Sequence, residues 1–197
     1  MAKVRTFICF NLPREVKENL AQLQTDLKKR GRGVRWARPE GMHLTLKFLG
    51  DVDEGKIPEI ADAVRKAVAD RPVFQVEIAG AGGFPNLHRP RVYWVGVHET
   101  SGALEALQAR IENELARLGF PKEKRKFSPH LTLGRVKFND GLKAISEILD
   151  NKVLPPMTFT ANEIIVMKSQ LSPQGSTYTP LAILPLKRDT LENFNQG

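Results

Sequence analysis

Two copies of the tetrapeptide His-Leu-Thr-Leu are the residues of this chain whose types and spacing could do chemistry. They occupy residues 43–46 and 130–133, and they hold two of the 4 histidines. Side chains alternate between the faces of an extended strand, so each histidine shares a face with the threonine two positions later. Each copy therefore predicts a strand that is anchored by its leucines and presents an imidazole and a hydroxyl together.

Two such strands could catalyse phosphoryl transfer without a metal ion if their polar faces met in one cleft. A neutral imidazole can accept a proton from the attacking oxygen, and a protonated one can donate a proton to the departing oxygen. The hydroxyls of Thr45 and Thr132, together with a cation such as Arg135, could hold the non-bridging phosphate oxygens. A single His-x-Thr strand is more often structural, and the repetition is what favours catalysis.

The elements that must position these motifs alternate between strands and helices. We predict strands at 5–12, 34–36, 43–49, 74–78, 91–97, 158–168 and 179–186, and helices at 13–30, 53–69, 101–118 and 142–149. The glycine-rich stretch 79–86 (AGAGGFPN) is predicted to be a turn, because it lacks the strand-to-helix context of a phosphate-binding loop. Each half then reads helix, HLTL strand, helix, which is typical of an internal duplication. We expect a single bilobed domain at 1–187 and a frayed tail at 188–197.

The composition is that of a globular protein, with 41% hydrophobic and 26% charged residues in 197. No apolar stretch approaches the roughly 20 residues that cross a bilayer, and the apolar run near the N-terminus is too short for a signal peptide. The only cysteine, Cys9, cannot form an internal disulfide, so we expect a cytoplasmic protein in which this thiol is buried. No histidine and cysteine cluster has zinc-site spacing and no nucleotide-binding glycine loop is present, so we predict no metal and no cofactor.

The formal net charge of +8 makes a polyanion a sensible partner, although the cations could equally serve only to keep the surface solvated. Two basic runs precede the two HLTL motifs and could form the rim of a cleft, or could be ordinary solvated loops. The runs are Arg30, Arg32, Arg35 and Arg38, and Lys122, Lys124, Arg125 and Lys126.

Aromatic residues that could stack on a base, but that are more often core residues, are Phe48, Phe84, Tyr93, Trp94 and Phe127. His88 and His98 lack the following threonine, and for them we expect no catalytic role.

The paired motifs and their flanks resemble the two-histidine phosphoesterases, and among them the RNA 2′,3′-cyclic phosphodiesterases, which are also called 2′-5′ RNA ligase-like proteins. The resemblance runs from about residue 3 to 187. Besides the two HLTL motifs, it includes the opening RTFI (5–8), KFLG (47–50), Ser128-Pro129 before the second motif, Gly134-Arg135 after it, and LSPQGSTY (171–178).

This resemblance implies an α+β fold with two pseudo-symmetric lobes, each with an antiparallel sheet and helices, and an active-site cleft between them. It implies metal-independent hydrolysis of RNA 2′,3′-cyclic phosphate ends to 2′-phosphomonoesters, with reversible 2′-5′ ligation as a second reaction. In this scheme His43 is the proton donor, His130 the proton acceptor, and Thr45 and Thr132 bind phosphate. The residues alone would allow the acid and the base to be exchanged.

Two other readings remain open at this point. The chain could be an RNA-end binding module without turnover, or a phosphodiesterase for a small cyclic nucleotide or a 2′-5′ oligonucleotide. If the chain is an RNA 2′,3′-cyclic phosphodiesterase, we expect a monomer that acts on RNA with a 2′,3′-cyclic phosphate end and does not bind membranes.

Overall fold

The computed structural model describes residues 2–151, 154, 157–172 and 175–188. Within this part of the chain there are nine strands and four α-helices. They are β1 (Lys3–Asn11), α1 (Arg14–Lys28), β2 (Val34–Trp36), β3 (His43–Asp53), α2 (Ile57–Val68), β4 (Phe74–Phe84), β5 (Val92–His98), α3 (Ala103–Arg117), β6 (His130–Val136), α4 (Lys143–Asn151), β7 (Met157–Ala161), β8 (Glu163–Ser172) and β9 (Gly175–Pro185). Apart from position 188, the predicted tail at 188–197 lies outside the described residues.

The strands form two antiparallel sheets, which confirms the predicted α+β class. The first sheet has the order β3-β1-β8-β9 and the second has the order β2-β6-β5-β4-β7. Each contains one HLTL strand, β3 in the first sheet and β6 in the second. The two halves repeat one topology, because β1-α1-β3-α2 in the first corresponds to β5-α3-β6-α4 in the second, and β1 pairs with β3 as β5 pairs with β6.

The helices tie the two lobes together by crossing between them. Helix α1 follows a strand of the first sheet but packs on β7 of the second, and α3 follows a strand of the second sheet but packs on β3 of the first. One hydrophobic cluster accordingly contains buried residues of both sheets, such as Ile8 of β1 and Val95 of β5. Burial of this shared apolar surface favours a fixed arrangement of the lobes, and with it of the two HLTL strands.

The glycine-rich stretch 79–86 corrects one prediction, because residues 79–84 continue strand β4 and do not form a turn. Gly82 pairs with Trp94, and a Cβ atom at Gly82 would lie 2.5 Å from the indole ring. A register shift between Ile78 and Ala81 brings in Gly80 with a φ of 71°. The glycines therefore serve a bulged strand that a large aromatic side chain covers.

The predicted strand at 158–168 is also wrong, because it is two strands in different sheets. Strand β7 ends at Ala161 at the edge of the second sheet, and β8 begins at Glu163 in the first. Asn162 is the single residue between them, and its carbonyl oxygen accepts a hydrogen bond from the Leu186 amide. The other predicted elements are found within a few residues of their expected ends. In the described part of the chain, none of the helices combines the length and the apolar character that a membrane span requires.

Candidate active site

Each HLTL strand contains a β-bulge at the same position, its second leucine. In the pairing of β3 with β1, Thr45 lies opposite Cys9 and Lys47 opposite Ile8, which leaves Leu46 without a partner. In the pairing of β6 with β5, Thr132 lies opposite Trp94 and Gly134 opposite Tyr93, which leaves Leu133 without one. A bulge adds one residue to a strand and shifts the alternation of side chains beyond it.

This shift decides which residue beyond each motif faces the cleft. Strict alternation from His130 and Thr132 would place Arg135 on the leucine face, whereas the bulge brings Arg135 to the cleft side, where Gly134 also lines the cleft. The equivalent residue in the first lobe is Phe48, which lies opposite Phe7 and lines the same cleft. One lobe therefore supplies an aromatic ring where the other supplies a guanidinium.

The cation after the first motif is excluded from the cleft by the same shift. Lys47 is buried, and its Nζ donates to Oε2 of Glu112 on α3 at 2.5 Å and to the carbonyl oxygen of Pro121 at 2.8 Å. Oε1 of Glu112 accepts a hydrogen bond from Gln108 Nε2. Since both charges are paired and hydrogen-bonded inside the protein, this ion pair is structural and cannot reach a phosphate.

Two buried glutamines support the bulges from the opposite halves of the chain. Gln108 of α3 donates to the carbonyl oxygen of Leu46 at 3.4 Å, and Gln24 of α1 donates to that of Leu133 at 2.8 Å. Gln24 also donates to the carbonyl oxygen of Ala37 at 2.8 Å. A bulged residue drops out of the strand ladder, so its buried carbonyl needs donors from elsewhere, and that of Leu133 also accepts from the Ala37 amide. Each crossing helix thus fixes the HLTL strand of the other half.

The two histidines are oriented by matching hydrogen bonds. Nδ1 of His43 lies 2.7 Å from the carbonyl oxygen of Gly41, and Nδ1 of His130 lies 2.7 Å from that of Ser128. A carbonyl oxygen can only accept, so Nδ1 carries the hydrogen in both rings. In the neutral form, Nε2 of each ring is then the basic atom, and in the protonated form it is a donor. Both rings line the same cleft.

The environments of the two imidazoles differ. The ring of His43 stacks on Phe7 with centroids 4.4 Å apart and meets the edge of Tyr178 at 5.1 Å. Burial lowers the pKa of His43 to about 4, although its hydrogen bond to Gly41 acts in the opposite direction. The ring of His130 meets the edge of Phe84 at 4.9 Å. The first imidazole is therefore neutral at pH 7 when the cleft contains no anion.

The cleft between the lobes has a volume of about 660 Å³, which suits a nucleotide-sized ligand. All five predicted site residues line it: His43, Thr45, His130, Thr132 and Arg135. Five cations are among its described lining residues, and none of those residues is acidic. The cations are Arg5, Arg35, Arg38, Arg135 and Lys137. Such a cleft attracts anions and can hold more than one negative charge.

Only one of the two basic runs contributes to this lining. Arg35 and Arg38 of the first run line the cleft, while Arg32 of the same run forms an ion pair with Asp140 outside it. None of the four cations of the second run, residues 122–126, is among the lining residues. The hypothesis of a rim built from both runs is therefore wrong for the second.

Of the aromatic candidates, Phe48 alone lines the cleft, and 51% of its surface is exposed. Arg5 lies over its ring, 4.6 Å from the centroid, and Phe7 stacks beside it with centroids 6.3 Å apart. Tyr93 is fully buried and its hydroxyl contacts Ser146. Trp94 packs on Phe84, and the Phe84 ring in turn contacts that of His130.

The remaining candidates belong to the core or lie away from the cleft. Phe127 packs against the core, and Cys9 is buried as predicted, with a pKa raised to about 12 by burial. His98 contacts the carbonyl oxygen of Ala79, and His88 lies in the loop after β4. Among the described residues, no group of three or more His, Cys, Asp or Glu side chains is placed to hold a metal ion.

The roles of the two supporting glutamines and of the rings around His43 were not predicted from the sequence. A glutamine among the leucines of an apolar helix face, as at Gln24 and Gln108, is a signal that could have been read, because a buried amide needs partners. Phe7 and Tyr178 gave no such signal, since an aromatic residue in a strand is usually part of the core.

Comparisons with known proteins find relatives over most of the chain. A family model described as the 2′-5′ RNA ligase superfamily matches residues 12–172. The RNA 2′,3′-cyclic phosphodiesterase of Thermotoga maritima is 39% identical over 90% of this chain and 93% of its own length, and that of Methanothermobacter thermautotrophicus is 34% identical over 93% and 100%. Two solved structures match 94% of this chain and 99% of their own chains. A Thermus thermophilus protein has a TM-score of 0.74 at 28% sequence identity, and E. coli LigT complexed with 3′-AMP has a TM-score of 0.71 at 26% sequence identity.

Proposed function

Because this chain belongs to the 2′-5′ RNA ligase superfamily, we propose that it hydrolyses RNA 2′,3′-cyclic phosphate ends to 2′-phosphomonoesters, with His43 and His130 as an acid and base pair. The observation that carries the proposal is the meeting of both HLTL histidines, each with Nδ1 bound to a carbonyl oxygen, in one cation-lined cleft. Relatives over nearly the whole length of the chain are named for this reaction.

In the proposed mechanism, water attacks phosphorus from the side opposite O3′. Nε2 of neutral His130 takes the proton of the attacking water as the new P–O bond forms. The P–O3′ bond breaks, and protonated His43 donates its Nε2 proton to O3′. The product is a 2′-phosphomonoester with a free 3′-hydroxyl, and exchange with solvent restores the two protonation states.

The low pKa of His43 requires that substrate binding helps to protonate it. A cyclic phosphate brings one negative charge into the cleft, and a nearby negative charge raises the pKa of an imidazole. We propose that the substrate anion stabilises the imidazolium that then acts as the acid. The hydroxyls of Thr45 and Thr132 donate to the non-bridging oxygens, and Arg135 offsets their negative charge.

No step in this scheme uses a metal ion or an organic cofactor. The test is to incubate the protein, in a chelator, with an RNA oligomer that ends in a 2′,3′-cyclic phosphate. We expect a 2′-phosphate end, and no product from His43→Ala or His130→Ala variants that keep the wild-type circular dichroism spectrum. Tight binding of the RNA without turnover would favour a binding module, and turnover of cyclic mononucleotides alone would favour a small-nucleotide phosphodiesterase.

We also propose that the protein acts in the cytoplasm as a monomer. The single cysteine is buried and free, so the described fold does not depend on an oxidising compartment. Among the described residues, the exposed large hydrophobic side chains outside the cleft are Phe138, just after β6, and Ile183, on β9 of the other sheet, and their separation favours a monomer. Size-exclusion chromatography with light scattering would measure a mass near 22.1 kDa if this is correct.

A further inference from the structure

Strand β2 places a second arginine beside Arg135. It adds to the edge of the second sheet next to β6, and its register puts Arg35 directly opposite Arg135. Directly opposed residues of an antiparallel pair lie on the same face, with Cβ atoms about 5 Å apart. Both side chains line the cleft.

The close approach of β2 depends on Gly134. A Cβ atom there would lie 2.6 Å from Cγ1 of Val34 and 3.1 Å from the carbonyl oxygen of Arg35. Two further hydrogen bonds fasten the ends of the strand, from the Ala37 amide to the carbonyl oxygen of Leu133 and from the Lys137 amide to that of Gly33. Arg35 is therefore held at the cleft by the backbone and not by a loop that could turn it away.

The paired arginines repel each other unless an anion lies between them. Like charges directly opposite in a sheet are destabilising, and the ion pairs among the described residues include neither Arg35 nor Arg135. The nearby Arg32, outside the cleft, is paired with Asp140. The chain thus neutralises a neighbouring arginine while it leaves these two facing the cleft.

A cyclic phosphate carries one negative charge, which Arg135 alone can offset. We propose that Arg35 binds a second phosphate, the phosphodiester on the 5′ side of the terminal nucleoside, and that the protein thereby prefers RNA ends to cyclic mononucleosides. This inference rests on the proposed function. Arg135 near the end of β6 and Lys137 just after it lie progressively farther along the chain from His130 and Thr132. The second anion is therefore held at the end of the cleft away from the reacting phosphate. The guanidinium of Arg35 offers the two-pronged donor geometry that suits phosphate.

The test compares three substrates that share one terminal nucleoside. They are the nucleoside 2′,3′-cyclic phosphate, the same compound with a 5′-phosphate, and a short RNA oligomer with that end. We expect the wild-type kcat/KM to be about 10- to 100-fold higher when the 5′-phosphate is present, as a charged hydrogen bond to phosphate would provide. Arg35→Gln should remove most of this ratio, and Arg35→Lys should keep part of it.

The matched control is Arg30→Gln, which removes one positive charge from an exposed position that does not line the cleft. It should leave the ratio as in the wild type. An equal loss on all three substrates after Arg35→Gln would overturn the inference and would assign Arg35 to the reacting phosphate. An unchanged ratio would overturn it as well.

A binding measurement separates failure of this inference from failure of the proposed function. The affinity for a labelled RNA oligomer that ends in 2′-phosphate is measured by fluorescence anisotropy at several salt concentrations. The slope of log affinity against log salt should be smaller by about 0.7 in Arg35→Gln than in Arg30→Gln, because one fewer phosphate is neutralised. Equal slopes would contradict the inference. The absence of turnover of any substrate by the wild type would contradict only the proposed function.

Discussion

The burial of His43 predicts that its imidazole remains neutral far below the pH at which a histidine in water becomes charged. The pKa of an exposed imidazole is about 6.5, and the packing of Phe7 and Tyr178 lowers that of His43 to about 4. Between these two pH values the unfolded chain binds a proton that the folded protein does not. The folded state therefore loses stability as the pH falls from about 6.5 to about 4, and this group adds no further change below that range.

The size of the effect follows from the same two values. Each pH unit in this window costs at most 1.36 kcal/mol, so the full window corresponds to about 3 kcal/mol of unfolding free energy. His43→Asn lacks the titrating group, and its unfolding free energy should fall less steeply over this range than that of the wild type. Urea denaturation at a series of pH values measures the difference.

NMR measures the pKa itself. The chain has 4 histidines, so the ring resonances of His43 can be assigned from their loss in His43→Asn. Tyr178→Ala should admit water to the ring and raise its pKa towards 6.5, and Ile183→Ala, an exposed position on the same strand, should leave it unchanged. A His43 ring that titrates near 6.5 in the wild type would refute this reasoning.

Three further outcomes are expected. If His43 is the acid, His43→Ala should lower kcat about 10²- to 10⁴-fold on a cyclic phosphate. It should lower kcat much less on a phosphodiester that releases p-nitrophenolate, because this leaving group needs no proton, whereas His130→Ala should lower kcat on both substrates. Equal losses on the two substrates in His43→Ala would contradict its assignment as the acid. Gln24→Leu removes the side-chain donor to the Ala37 carbonyl and one of the two donors to the Leu133 carbonyl, and it should lower the unfolding free energy by about 1 to 3 kcal/mol in urea titrations; no change would show that the bulge needs no support from this glutamine. Lys47→Met leaves the charge of Glu112 buried without its cation and should lower the unfolding free energy by about 3 kcal/mol. Adding Glu112→Leu to the same chain should restore most of this loss. A Lys47→Met variant as stable as the wild type would contradict the prediction.

Local periodicity was sufficient to predict most of the elements and the faces of the HLTL strands. The leucines of both motifs are buried, and the histidines and threonines line the cleft, as alternation requires. The position of Arg135 could not be derived in this way. Alternation alone would have placed it on the leucine face, because the bulge at Leu133 depends on pairing with β5 and on a glutamine 109 residues away in the chain.

The two incorrect element predictions have similar causes. Glycines predict a turn when they are considered alone. In the structure the strand needs glycine at position 82, because Trp94 of the neighbouring strand occupies the space that a side chain would need. Residues 158–168 form one apolar pattern, and the change of sheet at Asn162 is imposed by the partners of β7 and β8. Long-range pairing decided both cases, and a local pattern carries no information about it.

The most direct test of the proposed reaction is to follow an RNA oligomer with a 2′,3′-cyclic phosphate end by ³¹P NMR in water enriched in ¹⁸O, with a chelator present. We predict a 2′-phosphomonoester that carries one ¹⁸O atom, formed by the wild type and by neither His43→Ala nor His130→Ala. A 3′-phosphate product, or turnover that survives both substitutions, would contradict the assignment of this chemistry to the paired histidines.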